Sequence, residues 1–166
     1  MTTLNPLKGG PPLGGLRRAV LRAPIHLYRL GLGALLGHRL VLLTHTGRVS
    51  GLPRQVVLEV VGRGDERDSY LIASGYGERS QWLRNVLAHP EVTYQVGGRR
   101  HRGTAVPLPP EESGRRLADY AQQHPRTAAR LMKALDHAPR TRADFEALGA
   151  DRARGVPLVA LRPGTD

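Results

Sequence analysis

Residues 40–61 read LVLLTHTGRVSGLPRQVVLEVV, two apolar runs around one polar loop. The runs Leu40–Leu43 and Val56–Val61 are short, rich in β-branched residues and bounded by Gly and Pro, a pattern that predicts two strands. Between them, Gly47, Gly51 and Pro53 set the turn. Thr44, Thr46, Arg48, Ser50 and Arg54 place hydroxyls and guanidiniums beside exposed backbone amides. Such a loop suits an anion, phosphate above all, and a plain solvated turn is the alternative.

Downstream, Tyr70–Ser74 reads as a third strand and Gln81–Ala88 as a helix. That helix would bury Trp82, Leu83, Val86 and Leu87, with Ser80 as its cap and Pro90 beyond its end. Glu91–Val96 and Arg99–Val106 form a hairpin through Gly97-Gly98. Arg99, Arg100, His101 and Arg102 mark its second strand as an edge or a solvent-facing strand. Glu111–Gln123 and Thr127–Asp136 read as helices, Arg140–Ala150 is ambiguous between helix and loop, and Val156–Leu161 is a last strand able to close a barrel.

The loop motif TGRVSGLPR (Thr46–Arg54), with ASGYG (Ala73–Gly77), WLRN (Trp82–Asn85) and HPEVT (His89–Thr93), resembles the deazaflavin-dependent nitroreductase family. The similarity runs from about Pro24 to Arg162. It implies an α+β fold, mainly a split β-barrel of six antiparallel strands with peripheral helices, similar to FMN-binding barrels. It also implies coenzyme F420 as the hydride carrier, a quinone, nitro compound or other electron-poor small molecule as acceptor, and a homodimer. Carried over by position, Arg48, Val49, Ser50, Gly51 and Arg54 match the family's phosphate loop, and Ala73, Ser74 and Gly75 match the strand end beside the deazaflavin ring. Trp82 and Asn85 join the expected cofactor contacts. The chain departs from the family where a basic residue commonly follows Arg48 (here Val49), a lysine follows Ser74 (here Gly75) and an aromatic follows Trp82 (here Leu83). FMN is the alternative cofactor, and a non-catalytic module carrying the cofactor or an anionic lipid is the alternative outside enzymes.

Two titratable residues stand apart. Glu59 alternates with Val57 and Val61, so a carboxylate shares an apolar strand face. It needs either an Arg partner or a role against the ring or substrate. His45, beside the anionic loop, is either a satisfied structural histidine or an aid to cofactor or product. These two are the weak catalytic candidates.

With 166 residues, the chain supports one domain with a real core, here 16–166, behind a Gly/Pro-rich lead at 1–15 expected to be disordered. The absence of cysteine excludes disulfides, thiolate metal sites and a Cys nucleophile. The histidines show no metal-ligand spacing, GRVSG is not a G-x-S-x-G elbow, and no phosphate-binding loop ends in Lys-Ser or Lys-Thr. The glycines at 31, 33 and 37 do not make a dinucleotide fingerprint, since no strand precedes them. A net charge of +11 attracts anions of every kind, but seven aromatics and no recognisable motif argue against nucleic acid. Residues 16–37 pattern as an amphipathic helix with an Arg face, suited to packing on the barrel or to peripheral contact with anionic lipid. No signal peptide or spanning helix is read from the N-terminus, and the expected location is cytoplasmic.

Overall fold

The computed structural model describes residues 37–165. The lead at 1–15 and nearly all of the 16–37 helix fall outside the described residues. Six strands close into an antiparallel barrel: β1 (Leu40–Thr46), β2 (Pro53–Arg63), β3 (Tyr70–Ala73), β4 (Glu91–Val96), β5 (Arg99–Pro107) and β6 (Leu158–Pro163), in the spatial order β1-β2-β3-β6-β5-β4. Helix α1 (Gln81–Ala88) links β3 to β4, and α2 (Pro110–Gln123), α3 (Pro125–Ala134) and α4 (Arg142–Ala150) lie between β5 and β6. The split β-barrel expected from the sequence is the fold observed.

Alternation divides the apolar residues between two cores. Val41, Leu43, Ile72, Tyr94, Val96 and Leu161 fill the barrel together with Trp82, Leu83 and Val86 of α1. The opposite faces carry Val61, Leu71, Leu158 and Ala160, which pack under Leu117, Tyr120 and Met132 of α2 and α3. Each fully buried Leu or Val contributes about 1.5 to 3 kcal/mol, so both cores are needed to hold a barrel of this size.

Several expectations are adjusted. β1 and β2 run further into the polar stretch than the apolar pattern indicated, through the pairs Thr44↔Gln55, His45↔Arg54 and Thr46↔Pro53. Thr and Arg satisfy a ladder as well as Val does, and apolar pattern alone does not register them. The true loop is therefore residues 47–52. β5 is not an edge, because it pairs with β4 and, from Gly103 onward, with β6. Arg99, Arg100 and Arg102 are exposed, but His101 turns inward and stacks on Tyr94 at 5.2 Å. Ser80 occupies the N-cap position of α1 without a capping hydrogen bond. The ambiguous stretch before residue 150 is helical, started by a reciprocal Thr141–Asp144 capping box. Of the hairpin glycines, Gly97 takes the positive φ, at 59°.

The feature that positions the site is a parting of strands. β2 and β3 pair only at Val60↔Ile72, Gly62↔Leu71 and Arg63↔Tyr70, across an irregularity in register. From Glu59 back to Val56, β2 pairs with β1 but not with β3. The gap left there is the split in the barrel.

Candidate functional site

A cavity of about 1540 Å³ opens at this split. One end is polar, formed by the 47–52 loop and the start of α1. The other is apolar, with Val57 and Ala73 of the barrel facing Leu131 of α3 and Leu135 at its C-cap.

The loop is held from both sides. Gly47 N–H donates to Leu52 O (2.8 Å) and Gly51 N–H to Gly47 O (2.8 Å), with Gly51 at φ 67°, a conformation that favours glycine. Ser50 Oγ accepts from Leu52 N–H (3.3 Å). Asn85 of α1 clamps the loop from below: its Oδ1 accepts from the backbone N–H of Arg48 (3.1 Å) and from the Arg48 guanidinium (3.0 Å), which also donates to Gln81 Oε1 (2.9 Å). Arg48 is thus oriented by neutral amides, with its charge uncompensated. Among the described residues neither Arg48, Arg54 nor Arg79 of this cavity makes an ion pair, and the amides of Val49 and Ser50 have no protein partner. This is the condition expected of a site that waits for an anion.

Asn85 also decides the state of His45. With Oδ1 committed to Arg48, its Nδ2–H donates to His45 Nδ1 (3.2 Å), so the neutral ring carries its proton on Nε2. Burial first, and the charge of Arg54 second, hold the His45 pKa below its ordinary value. The ring is neutral and lines the cavity.

Of the remaining residues expected from the sequence, Ala73, Gly75 and Trp82 line the cavity, Trp82 also serving the barrel core. Ser74 does not line it. Its side chain is fully buried and Oγ donates to Gly77 O (3.0 Å) beside Ser80 Oγ (2.9 Å), so it stabilises the turn into α1. Gly51 shapes the loop without lining the cavity. Val49 projects into solvent at 91% exposure. Gly75 is tightly packed: a Cβ there would meet the side chain of Leu135, the C-cap of α3. Glu59 lines the cavity, and its partner is the Tyr120 hydroxyl of α2 (3.0 Å) rather than an arginine.

Sequence reading missed Arg79, Tyr76, Gln81 and the α3 wall. The first three sit within or beside quoted motifs, but no periodic signal aims them at the cavity. The α3 wall depends on a tertiary contact. The strand gap was also unforeseen. Since Val60 N–H bonds Arg39 O on the β1 side (2.8 Å), alternation turns the backbone N–H and C=O of Val57 and Glu59 toward the gap. A flat heteroaromatic ring with donor and acceptor edges can be read by such groups.

These features define a split-barrel site built to hold an anionic ligand beside an apolar cleft. The model of the F420H(2)-dependent quinone reductase family matches residues 22–136, and the chain belongs to that family. It is similar to the F420H(2)-dependent quinone reductase Rv1261c of Mycobacterium tuberculosis (strain ATCC 25618 / H37Rv), 34% identical over 112 residues, covering 62% of this chain and 69% of that protein. It is also similar to Rv3178 of the same organism, named for the same activity, 28% identical over 137 residues, covering 81% of this chain and 98% of that one. Among solved structures, an F420-H2 dependent reductase (FDR-A) shares the fold, with a TM-score of 0.50 and 24% identity over 76% of this chain and 96% of that chain.

Proposed function

We propose that the protein oxidises reduced coenzyme F420 and passes the hydride to a quinone, with nitro compounds and other electron-poor acceptors as further substrates. The observation that carries this reading is the cavity itself, in which, among the described residues, three arginines without ion pairs and two open loop amides accompany an apolar cleft. Membership of the quinone reductase family supports the same donor and acceptor. When bound, the deazaflavin supplies the hydride. The chain supplies the rest: Arg48, Arg54 and the amides of Val49 and Ser50 would hold the anionic part. Val57, Ala73 and Trp82 would sandwich the ring, and Leu131 and Leu135 would exclude water from the acceptor. Neutral His45 is placed to donate a hydrogen bond from Nε2 without adding positive charge.

The test is oxidation of reduced F420 followed by return of the oxidised cofactor's absorbance on adding menadione. Quinone-dependent oxidation above the enzyme-free rate is expected. Its absence, with F420 bound, would leave a cofactor-carrying module. FMN is the second cofactor to titrate, and tighter binding of FMN than F420 at matched salt would overturn the cofactor assignment. We also propose a homodimer, as in the barrels this chain resembles, and light scattering decides it.

A further inference from the structure

The cavity has a polarity that the anion-binding loop does not account for. Among the described residues its lining carries three arginines and a single carboxylate, Glu59. Arg54 and Glu59 lie on the same strand, five residues apart, which at strand rise places them about 16 Å from each other. The carboxylate is half-buried beside Val57 and forms no ion pair among the described residues, the charge of Arg39 being felt at its partner Tyr120. One oxygen accepts from Tyr120, whose side chain is 6% exposed and fixed on α2. No second hydrogen bond to the carboxylate is formed among the described residues, and no oxygen of Glu59 is sealed off without a partner. An acceptor is thus held in place by a buried phenol and left with capacity facing the cavity.

We infer that Glu59 recognises a hydrogen-bond-donating edge of the bound cofactor, the imide N–H of the deazaflavin head group, and that Tyr120 positions it. This rests on the reading of the protein as F420-dependent. The arginine end takes the anionic tail and the glutamate end takes the donor edge, so the ligand binds in one direction along β2. A quinone offers only acceptor oxygens and would be repelled by the carboxylate. The head group carries an imide N–H in both oxidation states, so the contact survives turnover. The neighbouring backbone groups of Val57 and Glu59, turned to the same gap, are placed to read the flanking carbonyls and N–H of that edge.

The test is equilibrium binding, read by F420 fluorescence, and requires no turnover. F420 and its imide-N-methylated analogue are titrated against the parent protein and against Glu59→Leu, with melting curves recorded for both proteins. The parent is expected to lose roughly ten- to a hundredfold in affinity on methylation, the range of one charge-assisted hydrogen bond. Glu59→Leu is expected to bind both ligands equally, at the weakened level. If the parent binds the methylated analogue as tightly as F420, the inference is wrong, and this arm needs no variant to fold. If Glu59→Leu melts lower but keeps the parent's affinity and its preference for the unmethylated ligand, Glu59 is only the structural partner of Tyr120. Failure of the parent to bind F420 at all would sink the functional reading first, and the two failures are therefore distinct.

Discussion

Along β3, β6 and β5 the ladders are continuous, and α2 and α4 lie over the outer face. There Ser113 ties three elements together: its Oγ donates to Gly149 O of α4 (2.6 Å) and accepts from Leu158 N–H of β6 (2.8 Å). Gly114 and Gly149 let α2 and α4 cross so closely that a Cβ on either would meet the other helix's backbone. Along Val56–Glu59 of β2, by contrast, β1 is present and β3 is not, and the open edge meets a cavity lined by Arg54 and Glu59. Polar groups on the covered side satisfy one another, whereas on the split side Arg48 is oriented by neutral amides without an ion pair among the described residues. Stability and affinity should therefore separate by side.

The largest expected effect is on the covered side. Leu117→Ala removes a fully buried side chain from the outer core and should cost about 2 to 5 kcal/mol in chemical denaturation, with cofactor affinity of the folded fraction unchanged. An equal fall in affinity would break the contrast. Next, on the split side, Arg48→Ala should weaken F420 binding by about 1.5 to 3 kcal/mol in a fluorescence titration and barely move the melting temperature. Arg48→Lys should recover part of the affinity, since it keeps charge but not the planar fork that reaches Gln81 and Asn85. Parent-like binding by Arg48→Ala would remove the loop from the site. Ser113→Ala should cost about 1 to 3 kcal/mol of stability by stranding the buried Leu158 amide, again without effect on binding.

The smallest effect is that of pH on His45. Its folded pKa lies below 6.5, so protonation favours the unfolded chain. The stability it contributes is complete above the ordinary histidine range and declines as pH falls from about 6.5 toward the lower folded value. Melting temperature should drop on acidification through that window, and His45→Gln should flatten the drop. An unchanged slope in the variant would show that other groups govern it.

How much of this was legible in the chain differs by side as well. The strands and most helices follow from local pattern, and even α4 carried its start signal in Thr141 and Asp144, which the weak apolar periodicity after Arg142 obscured. The 47–52 loop was legible as a cluster of open amides and guanidiniums because glycine placement and Arg side chains are local chemistry. Ser74 falls outside the cavity lining because strand position points toward the cavity while its hydroxyl bonds within the turn. Glu59 showed itself as an oddity, but its partner lies 61 residues away on α2, and no spacing rule connects them. Asn85 likewise gains its meaning only when α1 is docked beneath the loop, where one amide side chain serves both Arg48 and His45.

The contact between Gly75 and Leu135 makes the effect of a substitution at either position depend on the other. A lysine at 75 would bring a fourth cation to the cavity, but its Cβ meets the Leu135 side chain, which must turn aside first. The same lysine after Leu135→Ala enters vacated space. Selection on affinity would then weigh the two positions together rather than one at a time. The two positions should be read as one heritable unit, and a double-mutant cycle on F420 affinity would measure the epistasis between them.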